Sequence, residues 1–274
     1  MNSSELLSSG LIRAVIVLTL MSVLLVLQRI WPRRGERSPS LRRVRNVGLA
    51  AMGSATVYLI MPVSAVAFAA LIQARGVGLF AVLQWPTLIE ATLAIVALDL
   101  AIYWQHRAFH RLPWLWRIHR VHHNDTQFEV TLGLRFHPAE ILLSMLYKFA
   151  VILLLGPPAI VVGLYEILLA GFALMTHADV ALPARMDRSL RSVFVTPDWH
   201  RVHHSVHRDE TDSNYGNLLS LWDRLFNSHI AQPRDGHQAM RIGLSDYRLP
   251  EDHTLPSLLR LPFLGDARDT SRRN

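Results

Sequence analysis

The chain of 274 residues is 51% hydrophobic and 18% charged, carries a formal net charge of +7 and lacks cysteine, and its mean hydropathy is +0.23. That balance is too apolar for an ordinary soluble domain and indicates a membrane protein. It excludes disulfides, thiolate zinc sites and cysteine-ligated iron–sulfur clusters. The positive charge does not point to nucleic acid, because the arginines fall between apolar runs, where they mark cytoplasmic loops.

Leu11 to Ile30 suffices for one crossing of a ~30 Å hydrocarbon layer. Its leader holds Glu5, no positive charge and no small-residue cleavage site, so a retained anchor is expected rather than a signal peptide. WPRRGERSPSLRRVRN follows, with Arg33, Arg34, Arg37, Arg42, Arg43 and Arg45 against Glu36 alone. Such a loop is expected to be cytoplasmic, which puts the N-terminus outside. Val47 to Ile72 is read as the next crossing, with Gly53 and Pro62 as candidate kink points. ARGVG at 74–78 turns the chain, and Pro86 to Phe109 returns it, bringing His106 and His110 to the cytoplasmic end.

Ala139 to Thr176, roughly 55 Å if helical, is too long for one crossing. Gly156-Pro157-Pro158 interrupts it, and proline lacks the amide donor and clashes with the preceding turn, so a hairpin is expected. Whether its arms cross twice or form a re-entrant wedge, they return the chain to the side it left. His137 and His177 then share the membrane face of His106. Beyond Ala178 the chain is polar and loop-rich. LPSLLRLPFLG at 255–265 either rests on the membrane surface or forms a buried cap, and GDARDTSRRN is expected to fray. The expected fold class is all-α, a multi-pass transmembrane helical bundle of about four to five membrane helices. A cytosolic helical cap would hold a histidine-rich dimetal site. The expected domains are N-terminal membrane helices over 1–85, a histidine-box domain over 86–232 and a C-terminal cytosolic tail over 233–274.

Histidine is the other signal. HRVHH occurs at 119–123 and again at 200–204. At 100° per residue, positions i, i+3 and i+4 share one arc, so each cassette, if helical, presents three imidazoles on one face. These are His119, His122 and His123, then His200, His203 and His204. The second cassette has a helix start in Thr196, Pro197 and Asp198. His106 and His110 are i, i+4 neighbours close enough for one metal to bridge, and Leu112-Pro113 breaks their helix.

These eight imidazoles exceed the four ligands of a tetrahedral zinc. With His137 and His177 they make ten on one face, which suits two metals of higher coordination number. Iron is preferred because oxygen chemistry needs a redox metal, although composition alone does not separate it from zinc. Asp99 lies within an apolar helix seven residues before His106, with Tyr103 between. A carboxylate there is costly and usually faces a polar interior, where it would orient a metal-bound histidine, unless it pairs with an arginine. Asp125, Glu129, Glu140, Asp179, Asp198 and Asp209 crowd the cassettes and could do the same. His207 is expected to support the site; His229, His237 and His253 read as surface or loop residues.

HRAFH at 106–110 and the two HRVHH cassettes resemble the three histidine boxes of the fatty acid hydroxylase superfamily. This membrane di-iron group includes sterol desaturases, C4-methylsterol oxidases and alkylglycerol monooxygenase. DLAIYWQHRAFH, RFHPAE, THADV and HRDETDSNYGNLLSLWDRLFNSH extend the resemblance over roughly residues 96–229, and the first third resembles the group only as apolar sequence. Asp179 stands where bacterial members often have asparagine, which leaves it a ligand or a supporting residue. The resemblance implies two irons on the cytoplasmic face of a bacterial inner membrane, with O2 as cosubstrate. They would oxidise a lipid C–H bond by hydroxylation, or by desaturation if a second hydrogen leaves. The cycle needs two electrons. With no cysteine, no nucleotide-binding glycine motif and no spare domain, they are expected from a separate donor: a ferredoxin, a b-type cytochrome or a reductase. The competing readings are a non-catalytic metal-binding sensor or transporter, which would need polar residues through the bilayer, and zinc-assisted hydrolysis, which lacks a positioned carboxylate base. Sterol or hopanoid, fatty acyl chain, carotenoid and ether lipid all remain open as substrate.

Overall fold

The computed structural model describes residues 3–36, 39–83 and 85–265; the chain end from residue 266, including most of GDARDTSRRN, lies outside them. Among the described residues the only extended pairings are isolated bridges, such as Pro32 with Val180 and Phe194 with Leu219. Everything else regular is helical.

Five segments are long and apolar enough to cross a membrane: Leu11–Ile30, Ser40–Leu83, Thr87–Arg111, Pro138–Leu155 and Ala159–Thr176. The first belongs to α1 (Ser3–Ile30). The second is broken, because α2 (Ser40–Ile60) stops before Pro62. Ser64 then caps α3 (Ala65–Ala74), its Oγ accepting from the Ala67 amide at 3.1 Å, and the short α4 (Leu79–Leu83) follows. The crossing expected over 47–72 is therefore not one helix: proline removes a donor and the chain restarts at a serine cap instead of kinking. α2 also begins earlier than expected, so Arg42, Arg43 and Arg45 sit on its first turns. Arg42 is buried there between Asp125 and Glu129, at 2.6 Å from each.

The hairpin forms as expected. α5 (Thr87–Arg111) leads through Leu112 into α6 (Pro113–His123). α7 (Pro138–Leu155) and α8 (Ala159–Thr176) are arms of 18 residues each. Gly156 turns between them with φ +64°, and a Cβ there would lie 2.3 Å from the Val77 carbonyl oxygen. Glycine alone meets both demands. α1 packs on α8, α2 on α7, and α3 on both arms. Small α3 residues (Ala65, Val66, Ala69) let it approach Ile152 and Val162 closely. The outward faces are apolar, with Leu88 and Ile160 each 81% exposed, as expected of helices bathed in lipid.

At the end of the bundle where α5 and α8 finish, short helices build a cap: α9 (Ala184–Leu190), α10 (Pro197–His203), α11 (Arg208–Thr211), α12 (Leu221–Leu225), α13 (Gly236–Ala239) and α14 (Leu255–Arg260). Of the two roles considered for 255–265, the buried cap is the one seen: Leu258 and Leu261 pack against Leu49 of α2 and Val121 of α6. The fold is an all-α bundle of apolar helices with a helical cap around a histidine cluster.

Candidate metal centre

Each histidine is placed by a local helix rule. α5 carries His106 and His110 on its last two turns. Pro113 starts α6, which ends on the first cassette. Thr196 caps α10 by accepting from the Trp199 amide, and Pro197 takes its first position. His177 is the C-terminal cap of α8, and His204 that of α10.

Nine imidazoles converge in two groups, one of His106, His110, His119, His123 and His203, the other of His122, His177, His200 and His204. Within each group the ligand atoms lie within 4.8 Å of one another. The repeated cassettes interlock. The first gives its outer histidines, His119 and His123, to the first group and His122 to the second. The second cassette does the reverse, giving His200 and His204 to the second group and His203 to the first. The fifth residues of the two cassettes, His123 and His204, stack at 4.5 Å and 17°. Three rings at i, i+3 and i+4 thus serve two sites.

The outer nitrogens are committed. Nδ1 of His106, His203, His122 and His177 faces the carbonyl oxygens of Tyr215 (2.7 Å), Ser213 (2.6 Å), Arg135 (3.2 Å) and Ala173 (2.6 Å). A carbonyl only accepts, so these Nδ1 atoms donate, and a neutral ring then has a bare lone pair on Nε2. Burial takes His177 down to about 4. Burial, and after it the neighbouring rings, holds His122, His123, His200, His203 and His204 well below the ordinary imidazole value. At neutral pH these rings are uncharged donors.

The inner nitrogens have no protein partner suited to them. In the first group the Nε2 atoms of all five histidines are buried without a hydrogen bond, an arrangement that is costly unless something accepts the lone pairs. In the second, His177 Nε2 lies 3.1 Å from the Nε2 atoms of His122, His200 and His204. For His177 and His122 the two facing atoms are both lone pairs, which repel unless a cation lies between them. An all-imidazole donor set suits iron, zinc, copper or nickel and not magnesium or calcium. The residues present fit transition-metal ions.

Of the ten histidines expected as ligands, His137 stands outside both groups. It precedes Pro138 and caps α7: its Nδ1 accepts from the Ala139 amide at 3.1 Å and its Nε2 faces the Leu259 carbonyl at 3.3 Å, so both ring nitrogens are engaged. The four residues expected to support the site are bonded elsewhere. Asp99 accepts from the Leu218 and Leu219 amides, Trp222 Nε1 and the Tyr165 hydroxyl, and so anchors the 217–220 loop and the start of α12. Tyr103 shares a hydrogen bond with Ser228 and receives one from Arg107. Asp179 accepts from the Arg34 and Gly35 amides, and His207 reaches Asp235 near the surface. Among the carboxylates crowding the cassettes, Glu140 is the one that touches a site imidazole, with Oε1 at 2.6 Å from His119 Nδ1. Asp212, 3.2 Å from His110 Nδ1, had no distinguishing signal in the sequence.

Glu140→Gln removes the charge from the His119 partner while keeping its shape. It is expected to weaken metal retention about tenfold, measured as metal content after dialysis against a chelator. Unchanged retention would leave Glu140 a packing role alone.

A cavity of about 620 Å³ reaches His106, His119, His122, His177 and His200 from the bundle side. Its walls include Val17 of α1, Ala50 of α2, Ile102 of α5, Met145 of α7 and Leu169 of α8. Gly133 lets the 3-10 turn at Val130–Leu134 press against α8: a Cβ there would lie 2.6 Å from the Ala173 carbonyl that holds His177.

A family model described as fatty acid hydroxylase matches residues 91–228. The ornithine lipid hydroxylase OlsE of Rhizobium tropici is 32% identical over 151 residues, covering 55% of this chain and 45% of that protein. The alkylglycerol monooxygenase of Danio rerio is 31% identical over 147 residues, covering 54% and 32%. The Homo sapiens alkylglycerol monooxygenase is 30% identical over 139 residues, covering 51% and 30%. The chain thus spans less than half the length of each of these relatives, and no solved structure matches it.

Proposed function

Since this chain belongs to the fatty acid hydroxylase family, we propose that it is a membrane-bound oxygenase that hydroxylates a C–H bond of a lipid. The observation that carries the reading is the position of the two histidine groups at the floor of a cavity walled by apolar helices. The names of its relatives, an ornithine lipid hydroxylase and alkylglycerol monooxygenases, point the same way. Two irons held by the nine histidines would supply oxygen activation and C–H oxidation.

The chain's own residues prepare the site. The carbonyls of Tyr215, Ser213, Arg135 and Ala173 hold Nδ1 protons and so aim the Nε2 lone pairs inward. Glu140 holds the His119 ring by its Nδ1. The cavity walls exclude water and fix one stretch of hydrocarbon over the floor, which is where orientation contributes to rate. Electrons would come from a separate donor. The arginine-rich segment lies at the histidine end, since Arg33 bonds Asp198 at 3.1 Å, two residues before His200. The positive-inside rule then favours a cytoplasmic centre. Metal analysis after native purification tests this reading. Near two irons per chain, with oxygen uptake on adding reductant and lipid, is the expected result; zinc alone, or iron without oxygen uptake, refutes it.

A further inference from the structure

The cavity does not end in hydrocarbon. Arg13 of α1, Lys148 of α7 and Glu166 of α8 line it together. Lys148 Nζ lies 2.8 Å from Glu166 Oε1, and the Arg13 guanidinium pairs with Oε2 of the same carboxylate. Their side chains are 27% (Arg13), 15% (Lys148) and 13% (Glu166) exposed. Glu166 stands about three helical turns, or ~16 Å, before His177 along α8. Lys148 lies a similar distance from the histidine end of α7. The trio therefore sits near the middle of the hairpin, away from the histidine floor.

Its charge is unbalanced. Tying helices together would need one cation and one carboxylate, yet here two cations share one carboxylate, and Lys148 is the only lysine in the chain. Asp99, another carboxylate within the bundle, already accepts from four donors of its own, and Glu140, which also lines the cavity, lies eight residues before Lys148 and faces His119. A surplus positive charge among apolar helices is expensive and marks a binding function more often than a structural one. An anion brought in by a ligand would offset it, and two donors at one end of an apolar cavity would also set the ligand's direction.

We propose that Arg13 and Lys148, positioned by Glu166, form an oxyanion subsite for the substrate. The substrate is then an amphiphile bearing a carboxylate or phosphate group, and the carbon at the histidine floor lies about 16 Å from that group. What happens at the floor rests on the oxygenase reading; the binding of the oxyanion does not.

The test uses the whole chain with its metal as purified, without reductant, in a non-ionic detergent, titrated with the fluorescent polyene cis-parinaric acid and with its methyl ester. A carboxylate and an alkyl phosphate of equal chain length, added as competitors, distinguish the two oxyanions. The acid is expected to bind at least about tenfold more tightly than the ester. Arg13→Gln combined with Lys148→Met should abolish that preference while leaving ester binding within about twofold. Arg13→Lys and Lys148→Arg, which keep the charges, should preserve it. Equal binding of acid and ester by the unaltered protein overturns the proposal, as does a preference that survives in the double variant. Joint loss of ester binding and thermal stability in the double variant, with no preference lost in single neutral variants, would mean that the trio only ties α1 to the hairpin. Because the readout is binding without turnover, failure here is separable from failure of the oxygenase reading.

Discussion

Alanine at His203 is expected to abolish turnover and remove about half of the bound metal, and alanine at His122 is expected to do the same from the other group. His203 is fully buried and contributes to the five-histidine group from α10, whereas His122 contributes to the four-histidine group from α6. Loss of a supporting partner alone typically costs 10–100-fold in metal affinity or activity, so loss of a ligand should exceed about 100-fold. Each change also strips the proton donor from a carbonyl, that of Ser213 or Arg135, which adds a modest stability cost. Metal content per chain and oxygen uptake measure the outcome, with membrane insertion as the control. Unaltered iron and normal uptake in either variant would remove the centre from the mechanism.

Asp223→Ala should be the most destabilising change outside the histidines. Asp223 is wholly buried and accepts four hydrogen bonds, from the Tyr215 amide (2.8 Å), the Gly216 amide (2.9 Å), the Ser228 hydroxyl (2.8 Å) and Trp199 Nε1 (3.3 Å). Burial pushes its carboxyl up to about 6 in spite of these donors. Alanine would leave the Tyr215 and Gly216 amides and Trp199 Nε1 without a partner, at about 1–3 kcal/mol each before relaxation, while Ser228 keeps its hydrogen bond with Tyr103. The expected loss is about 3–5 kcal/mol, seen as a large fall in thermal midpoint. The damage should reach the metals, because the loop that Asp223 gathers supplies the Ser213 and Tyr215 carbonyls to His203 and His106. A variant of normal stability and full iron content would show that the loop holds its shape by other means.

The parts of this protein that were legible in its sequence are those governed by neighbours in the chain. Proline at 113, 157 and 197 announced a helix break, a hairpin and a helix start, and the i, i+3, i+4 spacing announced histidine-bearing helix faces. The stop at Pro62 was harder, since proline can kink or end a helix and Ser64 supplied the cap that tipped the choice. What could not be read was tertiary. The donors on Asp99 lie more than 60 residues away, and main-chain carbonyls, which hold four of the nine rings, leave no trace in residue identity. His137 lies outside the cassettes and directly before Pro138, and there it serves as the cap of α7.

The crossed sharing of the two cassettes has a consequence for assembly. Neither α6 nor α10 owns a complete nest: each lends one ring to the cluster that the other dominates. Drawing the two helices apart therefore opens both nests together, and neither nest is complete until segments separated by some 80 residues have met. Docking of α6 on α10 and completion of the two nests are thereby coupled, so that neither nest forms ahead of the other.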